Sequence, residues 1–225
     1  MGDLLVRGRA EARLHPTHAV LDITAVGRDP SSQDAALARA AQACAVVDAA
    51  VERGRHGPDP LIQIAETSSI RTAESWEHGP QGQRRRVGWT AERGTRVECA
   101  PDADGLTVLV SALAHDGIRL TGPRWHVGPD TAGWDALRTA AVIDARRRAE
   151  AYAAGIDGRV GAVRWIAEPG LRRNPDAVTG YQPMAARTAA FGMEDGAEPG
   201  EPLAVRIAVE PVAVDVTVEV AFDLA

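Results

Sequence analysis

The sequence contains no lysine; all 25 of its basic residues are arginines. That excludes a lysine Schiff base and the lysine of a phosphate-binding P-loop, and it reads first as a bias of genomic composition. Cysteine is scarce as well. Cys44 and Cys99 stand far apart with no Cys-x-x-Cys, which argues against thioredoxin-like redox chemistry. Cys44 falls on the apolar stripe of a helix and reads as a buried thiol. No apolar run approaches the ~20 residues that a membrane-spanning helix needs. A basic excess is lacking too: the net charge of -6 argues against general affinity for nucleic acid, which requires a basic face. No Gly-x-Ser-x-Gly elbow and no glycine-rich phosphate loop occurs, and Gly8-Arg9-Ala10 lies in a strand with no helix after it. Met1 to Arg7 shows no basic stretch leading into an apolar one, and Val6 spoils a myristoylation motif. A soluble, cytoplasmic protein is expected.

What is present suits a folded core: 225 residues, 45% of them hydrophobic. Residues 4–13 and 18–26 read as two strands joined at His15-Pro16-Thr17, with Leu21, Ile23 and Ala25 alternating with Asp22 and Thr24. Ser31 is expected to cap a helix, with Asp34 in its first turn and Leu37, Ala40, Cys44, Val47 and Val51 inward. A strand near 61–70 and a polar insertion at 74–86 follow. The next strand places Val87, Trp89, Ala91, Val97 and Cys99 on one face. Asp102 or Asp104 opens a short helix with Leu106, Leu109, Val110 and Leu113 inward, and a strand near 118–127 comes after it. A long helix then presents Trp134, Leu137, Ala141, Ala145, Ala149 and Tyr152, with Gly155 and Gly158 to stop it. At the end, Val212, Val214, Val216, Val218, Val220 and Phe222 alternate strictly with smaller or polar residues, the pattern of a strand with one buried face.

The middle of the chain therefore runs strand, helix, strand, strand, helix, strand. We read an α+β fold: an antiparallel sheet with a ferredoxin-like βαββαβ unit, packed helices, and extra N- and C-terminal strands. Residues 1–225 read as one domain, interrupted by the polar insertion 74–86 and a long loop at 169–201 rich in Pro, Gly and Ala.

These pieces resemble a known family. Val6-Arg7-Gly8-Arg9-Ala10 with Pro16 looks like its opening Gly-x-Gly strand and following Pro-Asp. Gly88-Trp89 stands where the family has Gly-Tyr. Ala140-Ala141-Val142-Ile143-Asp144-Ala145-Arg146 with Ala149-Glu150 is similar to its Ala- and Arg-rich helix. Pro183-Met184-Ala185-Ala186-Arg187 and the terminal valine ladder look like its C-terminal section. The family is that of the SIMPL-domain proteins, which include the YggE-like oxidative-stress defence proteins and periplasmic immunogenic antigens. The chain departs from the pattern at Ala10, where a second glycine is usual, and at Thr17, where an acid is usual. The resemblance implies an α+β fold, large ring-like or channel-like oligomers in some members, and an association with oxidative stress. It brings no catalytic residue with it.

The residues themselves assemble no reactive set. His15 and His18 on a turn, and His126 at a strand end, lack the further donors a metal site needs. Cys99, with Arg96 on the strand's other face, is poor support for a reactive thiol. Asp144 and Arg148, four apart on the long helix, support it by ~0.2–0.5 kcal/mol if exposed; Arg148 and Arg138 fall near its apolar stripe and hint at buried pairing or an interface. No catalytic, cofactor-binding or metal residue is assigned, and neither a cofactor nor an enzyme activity is expected. The best candidate surface is Arg84-Arg85-Arg86 with Trp76 and Trp89, since exposed Trp beside Arg is what protein interfaces favour. A homo-oligomer or a protein partner is expected there, not nucleic acid. The alternative is a small-ligand pocket, or an enzyme, beneath the 169–201 loop, with Tyr181, Arg187 and His126 in it.

Overall fold

The computed structural model describes residues 2–78, 83–171 and 206–225. Its elements are β1 (Gly2–Leu14), β2 (His18–Asp29), α1 (Gln33–Arg55), β3 (Ile62–Thr67), β4 (Arg71–His78), β5 (Arg84–Cys99), α2 (Ala103–Leu113), β6 (Ile118–His126), α3 (Ala132–Ala154), β7 (Val160–Ala167) and β8 (Val212–Leu224). The fold is α+β, with two antiparallel sheets. Its contacts divide the chain into two compact units.

One unit holds β2 to β6 with α1 and α2. Its strand order, β3-β5-β2-β6, is that of a ferredoxin-like βαββαβ, and β4 adds to β5 beyond the end of β3. Leu21, Ile23 and Ala25 of β2, Val97 and Cys99 of β5, and Ile62 of β3 meet Cys44, Val47 and Val51 of α1 and Leu106, Leu109 and Leu113 of α2. Asp102 caps α2, accepting from the amide of Asp104 at 3.1 Å.

Two details of α1 differ from expectation. Its cap is Ser32, which accepts from Ala35 N at 3.2 Å; Ser31 is instead bound by the Asp29 carboxylate. Leu37 is exposed, and Ala36, Ala40 and Ala43 face inward in its place. The reason is a close approach. A Cβ on Gly27 would lie 2.0 Å from the Ala36 carbonyl oxygen, so this end of α1 rests on bare backbone and needs alanine, not leucine, below it.

The other unit is a three-stranded sheet, β1-β8-β7, under α3. The N- and C-terminal strands thus build a sheet of their own. β1 pairs with β8 along its whole length, from Gly2↔Leu224 to Leu14↔Val212, and β2 pairs with β5 and β6, so the two expected strands form but make no hairpin with each other. Val6 packs with Val218, Val220 and Phe222 against Ala141, Ala145 and Ala149. Gly8 repeats the device of Gly27: a Cβ there would lie 1.9 Å from the Ala141 carbonyl oxygen.

Tyr152, expected inward, is exposed, and Ala153 takes the buried place, because the stripe advances by fours from Leu137. Arg138 and Arg148 are about half exposed and pair with Asp135 and Asp144 on their own helix, not with a buried partner. Asp144 also reaches across to accept the amide of Arg9 at 3.0 Å. That bond, with Arg147 and Arg148 beside it, holds its carboxyl below the usual range.

Candidate functional site

The expected interaction residues converge on a two-stranded ribbon. β2 stops pairing with β5 at Asp29↔Trp89, yet β5 runs on to Arg84 with β4 along its other side. The cause is the turn after β2. The Asp29 carboxylate accepts from Ser31 N at 2.9 Å, Ser31 Oγ at 2.9 Å and Ser32 N at 2.8 Å, and Arg39 lies 3.0 Å away. Those bonds, the backbone ones foremost, hold Asp29 below the usual carboxylate range, and they turn the chain into α1. From there the sheet is two strands wide among the described residues.

The polar insertion expected at 74–86 is therefore corrected. Residues 74–78 and 84–86 are paired strand, hidden from a pattern reading because a solvated ribbon shows no apolar alternation. Residues 79–82 lie outside the described part.

The register decides which side chains meet. Ser75 opposes Gly88 and Trp76 opposes Arg86, leaving Val87 as an extra residue in a bulge. Trp89 is three residues from Arg86 and would face the opposite way in a regular strand. The bulge puts both on one face. There the Arg84 guanidinium lies 5.1 Å from the centre of the Trp76 ring, and the Arg86 guanidinium lies 5.7 Å from that of Trp89. Arg86 also donates to Glu74 Oε1 at 3.2 Å. Arg85 opposes Glu77 on the reverse face, apart from the cluster. A lone hairpin is marginal in water; each cation–π contact adds ~0.5–1 kcal/mol at such a site.

This face continues the one that α1 covers. Trp89 packs against Ala36, Ala40 and Ala91, and Gln33 at the helix start donates to Thr72 Oγ1 at 2.9 Å. Beyond the helix the same face carries Trp76, 43% exposed. At the step where β2 leaves, Arg28, Pro30, Ser75, Val87, Gly88 and Trp89 line a shallow cleft of about 350 Å³. The sequence held one signal of the bulge, the isolated Gly88 in a strand pattern.

The remaining candidates fall elsewhere. Cys44 and Cys99 are buried in the core; burial pushes the Cys99 thiol up to about 12 and raises that of Cys44. A thiol so shifted carries almost no thiolate at neutral pH. Among the described residues, no group of three or more His, Cys, Asp or Glu is placed to hold a metal ion. Tyr181, Arg187 and nearly all of the 169–201 loop lie outside the described residues.

His126 stacks on His18 across β6 and β2, ring centres 5.3 Å apart and planes 10° from parallel. Burial lowers the pKa of His126, with His18, Arg124 and Arg96 adding to the effect and Glu98 opposing it. The unfolded chain then takes up this proton more readily than the folded one. Stability from this source is present above roughly pH 6.5 and is lost as pH falls through the folded-state pKa. In His126→Gln, melting temperature should fall less between neutral and mildly acidic pH than in the unaltered chain, and an NMR titration should place His126 below a free imidazole. Parallel melting curves would refute it.

Residues 4–222 match the family SIMPL, described as a protein of unknown function (DUF541). No curated protein matches the chain. Among solved structures it is similar to an amidase of the hydantoinase/carbamoylase family from Burkholderia vietnamiensis, at 16% identity and TM-score 0.30, over 61% of this chain and 33% of that one. A counterpart from Burkholderia multivorans gives 16% identity and TM-score 0.29, again over 61% and 33%. The aligned part is about a third of either protein's length, and at these TM-scores the likeness carries no argument.

Proposed function

This chain belongs to the SIMPL (DUF541) family, and from that premise we propose that it acts without catalysis, by docking protein chains, its own copies included, on the β4–β5 ribbon. One observation carries the reading: the helix-covered face of the sheet runs on past Trp89, at the helix's edge, as a strip holding Trp76, Arg84 and Arg86 that no other element covers among the described residues. Aromatic and arginine side chains fixed in place by neighbours make the anchors that interfaces use, because little conformational freedom is left to lose on binding. We extend the proposal to oxidative-stress defence through the family resemblance. Since both thiols are buried with raised pKa, such a role runs through association and not through thiol oxidation.

Light scattering on the full-length chain at several micromolar concentrations tests self-assembly. A discrete oligomer is expected, and Trp76→Ala should weaken it roughly thirtyfold, as loss of a central Trp anchor of about 2 kcal/mol does. A monomer at every concentration would count against it.

A further inference from the structure

We propose that the ribbon's receptor function is for an extended, carboxylate-rich segment of a partner protein, which adds as a strand beside β5 at residues 84–88 and sets its acidic side chains on Arg84 and Arg86. The inference deepens the reading above and rests on the ribbon being a contact surface.

Three features carry it. The first is an open edge. On the side of β5 that β2 occupies from Trp89 onward, no strand accompanies residues 84–88 among the described residues. Among the described residues, the backbone groups on that side have no partner strand and can pair with an added one, and the cleft between Pro30 and Gly88 lies at the end of that edge.

The second is charge. Among the described residues no carboxylate pairs with Arg84, whose guanidinium stacks on Trp76. A guanidinium held over a ring by its carbon still has N–H groups at its rim to offer, and a guanidinium can receive a carboxylate through two parallel bonds. The third is a precedent within the ribbon itself. Glu74 already sits on Arg86 at 3.2 Å while Arg86 lies over Trp89, so an acid held by a ring-stacked arginine is a geometry this surface adopts.

Carboxylates fit better than a polyphosphate chain. The chain as a whole carries -6, so a partner with a dense run of phosphates would be repelled over most of its length, whereas a short acidic strand meets only the local basic strip.

The test titrates full-length protein with a synthetic peptide of alternating glutamate and valine, read by tryptophan fluorescence. Binding is expected, and Arg84→Gln and Arg86→Gln should each weaken it roughly tenfold or more. Arg85→Gln, on the reverse face, should change it less than threefold, the difference that separates a directed contact from bulk charge. Methylating alternate peptide nitrogens along the docking edge should abolish binding, because strand addition needs those N–H groups. Circular dichroism confirms that each variant is folded. Equal losses for all three arginines, undiminished binding of the methylated peptide, or preference for an oligothymidylate would overturn the inference. If the peptide fails to bind but Trp76→Ala still dissolves an oligomer, the ribbon stands as a contact surface and only the acidic partner is lost. If neither responds, both readings fall.

Discussion

Gly27→Val is expected to lower the melting temperature on the order of 15 °C, with Gly8→Val doing the same in the other unit. Each glycine lies under a helix that touches its backbone, and a Cβ would sit 2.0 Å from the Ala36 oxygen or 1.9 Å from the Ala141 oxygen. No rotamer relieves that clash, because the obstacle is main chain. The helix must lift by more than an ångström, which separates Ala36 and Ala40, or Ala141 and Ala145, from the sheet along the whole contact. Overpacking of this kind costs ~3 kcal/mol, and for a unit of about a hundred residues each kcal/mol moves the melt by ~4–8 °C. Differential scanning calorimetry with chemical denaturation would measure it. A loss under 1 kcal/mol would mean that the helices do not rest on these glycines as described.

Insertion of one alanine between Ser75 and Trp76, opposite Val87, should cost the ribbon its docking while leaving the sheet intact. The bulge at Val87 is what lets Arg86 and Trp89 share a face with Trp76. Pairing Val87 with the added residue restores strict alternation and turns every β5 side chain before it, and every β4 side chain after it, to the other face. Trp76, Arg84 and Arg86 would then face the reverse side, away from Trp89, and Arg85 and Glu77 would take their place. Residues 89–99 stay paired with β2, so circular dichroism should change little. The expected readout is loss of the discrete oligomer in light scattering, together with loss of the Arg86 contact to the Trp89 indole in NMR spectra. An unaltered oligomer would show that face identity in the ribbon is irrelevant to association.

Several parts of this protein are legible in its sequence alone. Leu137, Ala141, Ala145 and Ala149 announced a helix through apolar residues every fourth position, though not that Ala153 and not Tyr152 continues the stripe, and Val212 to Phe222 announced a strand through period two. Asp102 marked a helix start. The candidate surface was legible as a composition, arginine beside tryptophan, though its shape was not. A polar ribbon carries no apolar period, so residues 74–78 and 84–86 read as an insertion. Leu37 was assigned inward because leucine is the more apolar residue; Ala36 lies there because Gly27 leaves no room for anything larger. Ser31 and Ser32 are chemically equal as caps, and the Asp29 carboxylate, by taking Ser31, leaves the cap to Ser32.

The division follows from what each kind of interaction depends on. Periodicity, caps and charge are properties of neighbouring residues, and by themselves they determined the element order apart from β4, the α+β class and the family resemblance. Strand partnership is different, because the backbone groups that pair are the same in every residue. Alternation says which face of β1 is buried and nothing about which strand lies at its edge. Only the tertiary structure paired β1 with β8 rather than β2, ended β2 at Asp29, and left β5 to run on with β4 as its one partner among the described residues. The proposed docking strip exists because of that last decision, since it is the stretch of β5 that outlasts its neighbour.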